Sequence, residues 1–559
     1  MKKLSIVFLF VSIALAGVGM FNNFVSAQDS EEDKKTSAKV KPKSEEELVK
    51  AINTMLEAAW KEDELKPSAP AKEGEWLRRV YLDTVGRTPT LDEALAFFKD
   101  KDSKKRDAVI DKLLASNEHA ANWSGLWGKE LVGSNMRKRG SGNLQLWLRS
   151  ALMENTPYDE MTREILTASG DVVLGKAEPT PGGYFVSFDN NTVNLASNIS
   201  RVFLGIEIQC AQCHDHRTEK WKQTDFFGFA AIFKATKTRR KSNNRESEDY
   251  NTYVVSDARV GKMSKRKKRE LEKKAQANPE IKEKLLLVST APKFLEGEEL
   301  TDASNGGDLR EDLAQWVTDK SNPYFARTVV NRMWGHYFKR GFVEPVDDFS
   351  SVNEPSHPEL LKLLADDFAA NGYDLRRLER VMLKTRSYQL SSDLSPNNQD
   401  DLLWYSRAFL EQLSAEQLFN SILSATGAQN AADKAGKARF NRLKGMILRQ
   451  FTTIFEDDED KDSESFTGTI PQALLMMNGD FIAKAAAAFP GNTLFTIFED
   501  YEKPEERIET MYIAALTRKP NSSEKERMMS HLKSEGGTVA AYEDIFWALL
   551  NSAEFLNNH

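Results

Sequence analysis

Cysteine is nearly missing from this chain, with two in 559 residues against 31 phenylalanines and 10 tryptophans. So small a supply excludes a disulfide-knit scaffold, and a chain this long can bury a sizeable apolar core instead. No long apolar run follows Phe21, which excludes a protein with many membrane spans. A His-Glu-x-x-His helix, a complete Gly-x-x-x-x-Gly-Lys-Ser/Thr phosphate loop and a Gly-x-Ser-x-Gly elbow are absent too. Simple hydrolase and nucleotide chemistry therefore have no support, and no catalytic residue can be named. With a net charge of -7, nucleic acid is not an expected partner.

Both cysteines, and two of the seven histidines, fall in one stretch, Cys210-Ala211-Gln212-Cys213-His214-Asp215-His216. Three chemistries suit it. In a c-type haem site, Cys210 and Cys213 form thioethers to the porphyrin and His214 is the axial ligand of the iron. In a zinc site, both thiolates and His214 or His216 bind the metal, with a fourth ligand from elsewhere. In the third, the cysteines form a structural or redox-active disulfide and no cofactor is held. His216 is too near His214 to reach the opposite face of the same ring. A sixth iron ligand has to come from His119, Met136, Met153, Met161, His336 or His357, or be absent.

Lys2 and Lys3 precede an apolar run from Leu4 to Phe21, and Val25-Ser26-Ala27 offers small residues for signal peptidase. Residues 1–27 read as a signal peptide, giving an exported protein of the periplasm or cell envelope, or a membrane anchor if it is uncleaved. Export agrees with the motif, because haem c attachment and disulfide formation both belong to oxidising compartments. Residues 28–43 read as a flexible tether.

From Ser44 the pattern is helical: capping boxes at Ser44/Glu47 and Thr90/Glu93, a stop at Gly86, and stripes of period 3.6. Trp123 and Trp127 read as core. Gly182 to Phe185 reads as a turn into a short extended piece, and Ser356 as a helix cap before Pro358. Arg137, Lys138 and Arg139 make a basic loop, either solvated surface or, in a haem protein, facing the propionates. Asp347 and Asp348 do not read as an acid and base pair, since neighbours in an extended segment point to opposite sides. Between residues 237 and 290 basic residues outnumber acidic ones, and the segment reads as a linker or arm. Its functional reading is a patch for an anionic envelope surface or polysaccharide; its plain reading is a solvated face. The fold expected is mainly α, with helical domains at 44–236 and 291–559, each with its own core, and few short strands.

An internal echo runs through the sequence. Tyr81, Arg87, Pro89 and Glu93 recur in spacing as Tyr512, Arg518, Pro520 and Glu524, and residues 113–118 resemble 549–554. Duplication and shared helix punctuation both explain it.

The stretch Cys210 to Trp221, with Arg78 to Asp83 and Gly86-Arg87-Thr88-Pro89-Thr90, resembles the planctomycete cytochrome-c-like domain known as domain of unknown function 1549. Asn322 to Arg327, Asn331 to Trp334, Ser356 to Leu361, Leu413 to Glu416 and Trp547 to Ser552 resemble its companion, domain of unknown function 1553. The resemblance implies an exported bacterial protein, often with extra cytochrome or carbohydrate-binding modules, and brings no settled activity. The preferred reading of the motif is haem c at Cys210, Cys213 and His214, serving electron transfer or redox chemistry with an unidentified redox partner. The alternative is a non-haem envelope interaction protein with a disulfide or zinc staple, linked to carbohydrate processing. Arg217 stands where the family pattern usually has proline.

Overall fold

The computed structural model describes residues 42–133, 138–176, 178–258, 264–297, 300, 308–428 and 480–558. These stretches are mainly helical, with a few short strands. Ser44 and Glu47 close the capping box of α1 (Glu45–Glu62), whose Leu48, Ile52, Leu56 and Trp60 form one buried face. Then come α2 (Glu73–Val85), α3 (Leu91–Lys99), α4 (Lys105–Leu114) and α5 (Asn117–Val132). α5 packs on α6 (Ser141–Glu154) and buries Trp123 and Trp127, as the sequence expects. α7 (Tyr158–Thr167) precedes the first strand, β1 (Gly170–Val173).

The expected extended piece after Gly182 is instead a short helix, α8 (Gly183–Ser187). A Cβ on Gly183 would lie 2.3 Å from the Gly140 carbonyl oxygen, so two backbones meet where a side chain has no room. α9 (Thr192–Leu204) ends at Gly205 with φ 63°. There a Cβ would meet the Phe349 ring at 2.6 Å, and the Phe349 amide donates to the Gly205 carbonyl. This closure aims the chain into the cysteine stretch, after which α10 (Gln223–Ala230) returns it to the core.

The segment read as a basic linker is part of the fold. β2 (Thr236–Arg240) and β3 (Thr252–Asp257) pair antiparallel, β3 pairs antiparallel with β1, and the sheet order is β1-β3-β2. Tyr253 and Val255 alternate inward and are buried, a period of two concealed by the surrounding charge. Arg310, itself buried, bonds Asp257 at the end of β3 and the Ala168 carbonyl. α11 (Lys265–Ala275) has no buried residue and matches the solvated face expected there; α12 (Pro279–Ser289) follows it.

The second half contributes α13 (Leu309–Thr318), α14 (Phe325–Phe338), α15 (Pro358–Ala370), α16 (Leu375–Lys384), β4 (Glu411–Gln412) and α17 (Ala415–Thr426). His357, not Ser356, stands at the start of α15; the Ser356 hydroxyl bonds the His357 ring instead. Beyond residue 479 lie α18 (Asp480–Ala486), α19 (Thr493–Asp500), α20 (Pro504–Leu516), α21 (Ser522–Ser534), α22 (Val539–Leu550), α23 (Ala553–Leu556) and β5 (Asn557–Asn558), which pairs with β4.

Residues from Lys43 onward form one compact unit, and the two helical segments share one core where the sequence suggested two. The reason lies in the charges of α2. Arg78 donates to the carbonyls of Ala515 and Phe555, and Arg79 to those of Tyr388 and Leu390. Asp83, fully buried, accepts from Lys339, Tyr388 and Asn558. Buried charges need partners, and those of α2 find them in the second segment.

The internal echo is structural. Arg87 lies over the Tyr81 ring and grips Glu93 and Glu118; Arg518 lies over Tyr512 and grips Glu524 and Glu554. Each follows a helix, precedes a capping box and donates to the next residue's carbonyl.

Candidate functional site

Gln209 to Gln212 form a single 3-10 turn beyond the α9 corner. Ala211 points inward and is buried, while Cys210 and Cys213 are exposed free thiols. The turn is held from behind. The Gln223 amide N–H donates to Asp215 Oδ1, its side chain donates to the Gln212 carbonyl, and Gln212 bonds Glu283 of α12. Trp221, Phe226 and Phe227 lie beneath, buried, so the exposed rim is polar and the apolar atoms belong to the core.

The two histidines differ in a way that chemistry can use. His214 Nδ1 lies 2.8 Å from the Asp215 carbonyl oxygen, an acceptor only. That nitrogen therefore carries the proton and donates, leaving Nε2 with a free lone pair on an exposed ring. His216 Nδ1 instead accepts from the Glu219 N–H at 3.0 Å, so in the neutral ring its Nε2 holds the proton. His214 is ready to ligate, whereas His216 serves its own turn.

This donor set fits covalent haem attachment, which asks for two accessible thiols and one imidazole nitrogen. It does not fit the zinc reading. Among the described residues no group of three or more His, Cys, Asp or Glu is placed to hold a metal ion.

Four of the sixth-ligand candidates, His119, His336, His357 and Met161, are engaged elsewhere in the fold. His119 bonds Glu379 at 2.8 Å, with both side chains buried, and the Tyr337 hydroxyl donates to the same carboxylate. His336 donates to the Asp83 carbonyl, and burial lowers its pKa. His357 is buried among Phe342, Trp404 and Tyr405. Met161 is in the core, Met153 is exposed on α6, and Met136 lies outside the described residues. Asp347 pairs with Arg201 and Arg332, and Asp348 accepts from Asn353, so they serve the scaffold separately. In the basic loop, Lys138 donates to the Val132 carbonyl and Arg139 pairs with Asp189, while Arg137 lies outside the described residues.

A cleft of about 560 Å³ opens beside the turn and takes Glu207, Ile208 and Gln209 into its lining. Sequence reading missed it because its other walls come from Lys138, the α8 end and α9. The polar stripe Asn191, Asn194, Asn198 and Arg201 was the available signal.

The model of a protein of unknown function (DUF1549) matches residues 51–238, and that of a protein of unknown function (DUF1553) matches residues 309–532. The chain belongs to these two families, joined in that order. The first family's region ends within β2, and the second's begins with α13. β3 and the residue that bonds it, Arg310, therefore stitch the two family regions together. No curated protein and no solved structure matches the chain. Among the described residues, no helix is long and apolar enough to cross a membrane, and residues 1–27 lie outside them.

Proposed function

We propose that this chain is an exported, haem-c-bearing electron-transfer or redox protein of the cell envelope. Cys210 and Cys213 would hold the haem through thioethers, and His214 would ligate its iron through Nε2. The observation that carries this reading is the tautomer of His214, fixed by the Asp215 carbonyl, next to two free exposed thiols. When bound, haem supplies one-electron chemistry. The chain's own contribution is to hold the axial ring through Asp215 and to keep the thiols accessible by anchoring Gln212 and Asp215 to α10 and α12. Because all three attachment residues are exposed, the group is carried at the surface, where a redox partner can approach.

The decisive experiment uses protein from its native host, or matured with a working haem-attachment system. Thioethers survive denaturation, so the unfolded chain should keep its Soret band and the added haem mass. Colourless native protein with two unmodified cysteines ends the reading. A second reading, a dithiol that cycles to a disulfide, is favoured by the exposure of both thiols in one turn. Its sign is a reversible loss of two hydrogens in mass, without colour.

A further inference from the structure

The cleft beside the cysteine turn is built for a ligand of a particular chemistry. One wall is a face of α9, where Asn191, Asn194, Ser197, Asn198 and Arg201 recur at helical spacing. The other is Lys138 with Ser187, Phe188 and Asp189, and the end nearest Cys210 is Glu207 to Gln209. Its volume lies in the range of small-molecule sites.

Its charges cancel. Arg201 is paired with Asp347, and Lys138 donates to the Val132 carbonyl above the Phe188 ring. Asp189 is held by Arg139. Glu207 has no partner among the described residues, and burial together with Asp348 raises its pKa. Lys138 is the one lining cation without a carboxylate partner among the described residues, and the unpartnered Glu207 offsets it, so the cleft carries no excess positive charge to favour phosphate, sulfate or other anions.

Uncharged hydrogen-bonding capacity is left over. Ser197 Oγ is shut from solvent without a partner. The side-chain amides of Asn194 and Gln209 are also without partners among the described residues, and Asn198 has only the Tyr184 hydroxyl. Amides donate and accept side by side, which matches a hydroxyl that does both, and the Phe188 ring offers an apolar face to C–H groups between hydroxyls.

We infer that this cleft binds a neutral, hydroxyl-rich ligand of the oligosaccharide class, with one end against Gln209 and therefore beside the cysteine turn. The inference stands on the cleft alone and is independent of what Cys210 and Cys213 carry.

The test is calorimetry with saturation-transfer NMR on the full mature chain, using cellotetraose, maltotetraose, mannotetraose and tetra-N-acetylchitotetraose at millimolar concentration. A sulfated chondroitin tetrasaccharide is the charged arm. At least one neutral tetrasaccharide should bind, more tightly than the sulfated one. The double variant Asn194→Leu, Gln209→Leu should lose about tenfold in affinity, the worth of one or two hydrogen bonds, with an unchanged thermal midpoint. Both side chains are exposed, so folding does not depend on them. Failure of all four neutral probes, tighter binding of the sulfated probe, or unchanged affinity in the variant overturns the inference. Pigment, read separately in the same sample, reports on the haem reading alone.

Discussion

His214 and His216, two residues apart on one turn, use the same nitrogen in opposite roles: the first donates through Nδ1 to the Asp215 carbonyl, and the second accepts through Nδ1 from the Glu219 N–H. One turn therefore leaves Nε2 with a free lone pair on the first ring and a proton on the second. In pigmented protein, His214→Ala should shift the visible ligation bands. His216→Ala should leave them in place and cost about 1 kcal/mol of stability, from a lost hydrogen bond. Absorption spectra and denaturant titration read the two effects separately, and a band shift from His216→Ala alone would reverse the assignment.

The twin clamps at Arg87 and Arg518 have the same donors on the same carboxylate oxygens but differ in burial. The Arg87 side chain is 13% exposed and that of Arg518 is 32% exposed. Arg87→Ala should cost about 3 kcal/mol, as expected when a mostly buried pair is broken. Arg518→Ala should cost about half as much, because water already screens the more exposed guanidinium. Denaturation midpoints of the two variants, with unchanged m-values, check the order.

The two parts of the basic segment should behave in opposite ways. Removing Thr236 to Asp257 takes out two of the sheet's three strands and the carboxylate that bonds buried Arg310, and should give no soluble folded protein. Replacing Lys265 to Ala275 with a Gly-Ser linker of the same length should move the melting temperature by less than about 2 °C, since that helix buries nothing. Circular dichroism melts distinguish them.

Most helices were legible because their signals are local. Ser44 with Glu47, Thr90 with Glu93, Gly86 and Gly205 mark ends within a few residues of the apolar stripes they bound. The sheet was not legible, since a strand such as Thr252 to Asp257 is defined by partners far along the chain, and the basic charges around it suggested solvent. The motif singled out the residues suited to chemistry. The tautomers of His214 and His216 were hidden, because they depend on where two backbone groups of the turn point. The pairing of His119 with Glu379 was invisible for the same reason as the sheet: 260 residues intervene.

Burial pushes the pKa of His357 down to about 4 from 6.5. The folded state therefore excludes the charged ring while the unfolded chain accepts it. Its contribution is fully present above pH 6.5 and is lost as pH falls from there towards 4, amounting to about 3 kcal/mol over that window. His336, also depressed by burial, acts in the same direction. His357→Phe should flatten the fall in stability between pH 6.5 and 4 in urea titrations; an unchanged slope would place the acid sensitivity elsewhere.

Arg78 reaches the Phe555 carbonyl across 477 residues of chain. A guanidinium in the first part of the fold thus waits for acceptors made hundreds of residues later, and α2 has no satisfied buried state until they arrive. Synthesis cannot lock this molecule in stages. A nascent chain that has delivered its first few hundred residues should remain open and protease-sensitive. Pulse proteolysis of stalled chains ending before and after residue 555 would show protection of α2 only in the longer one.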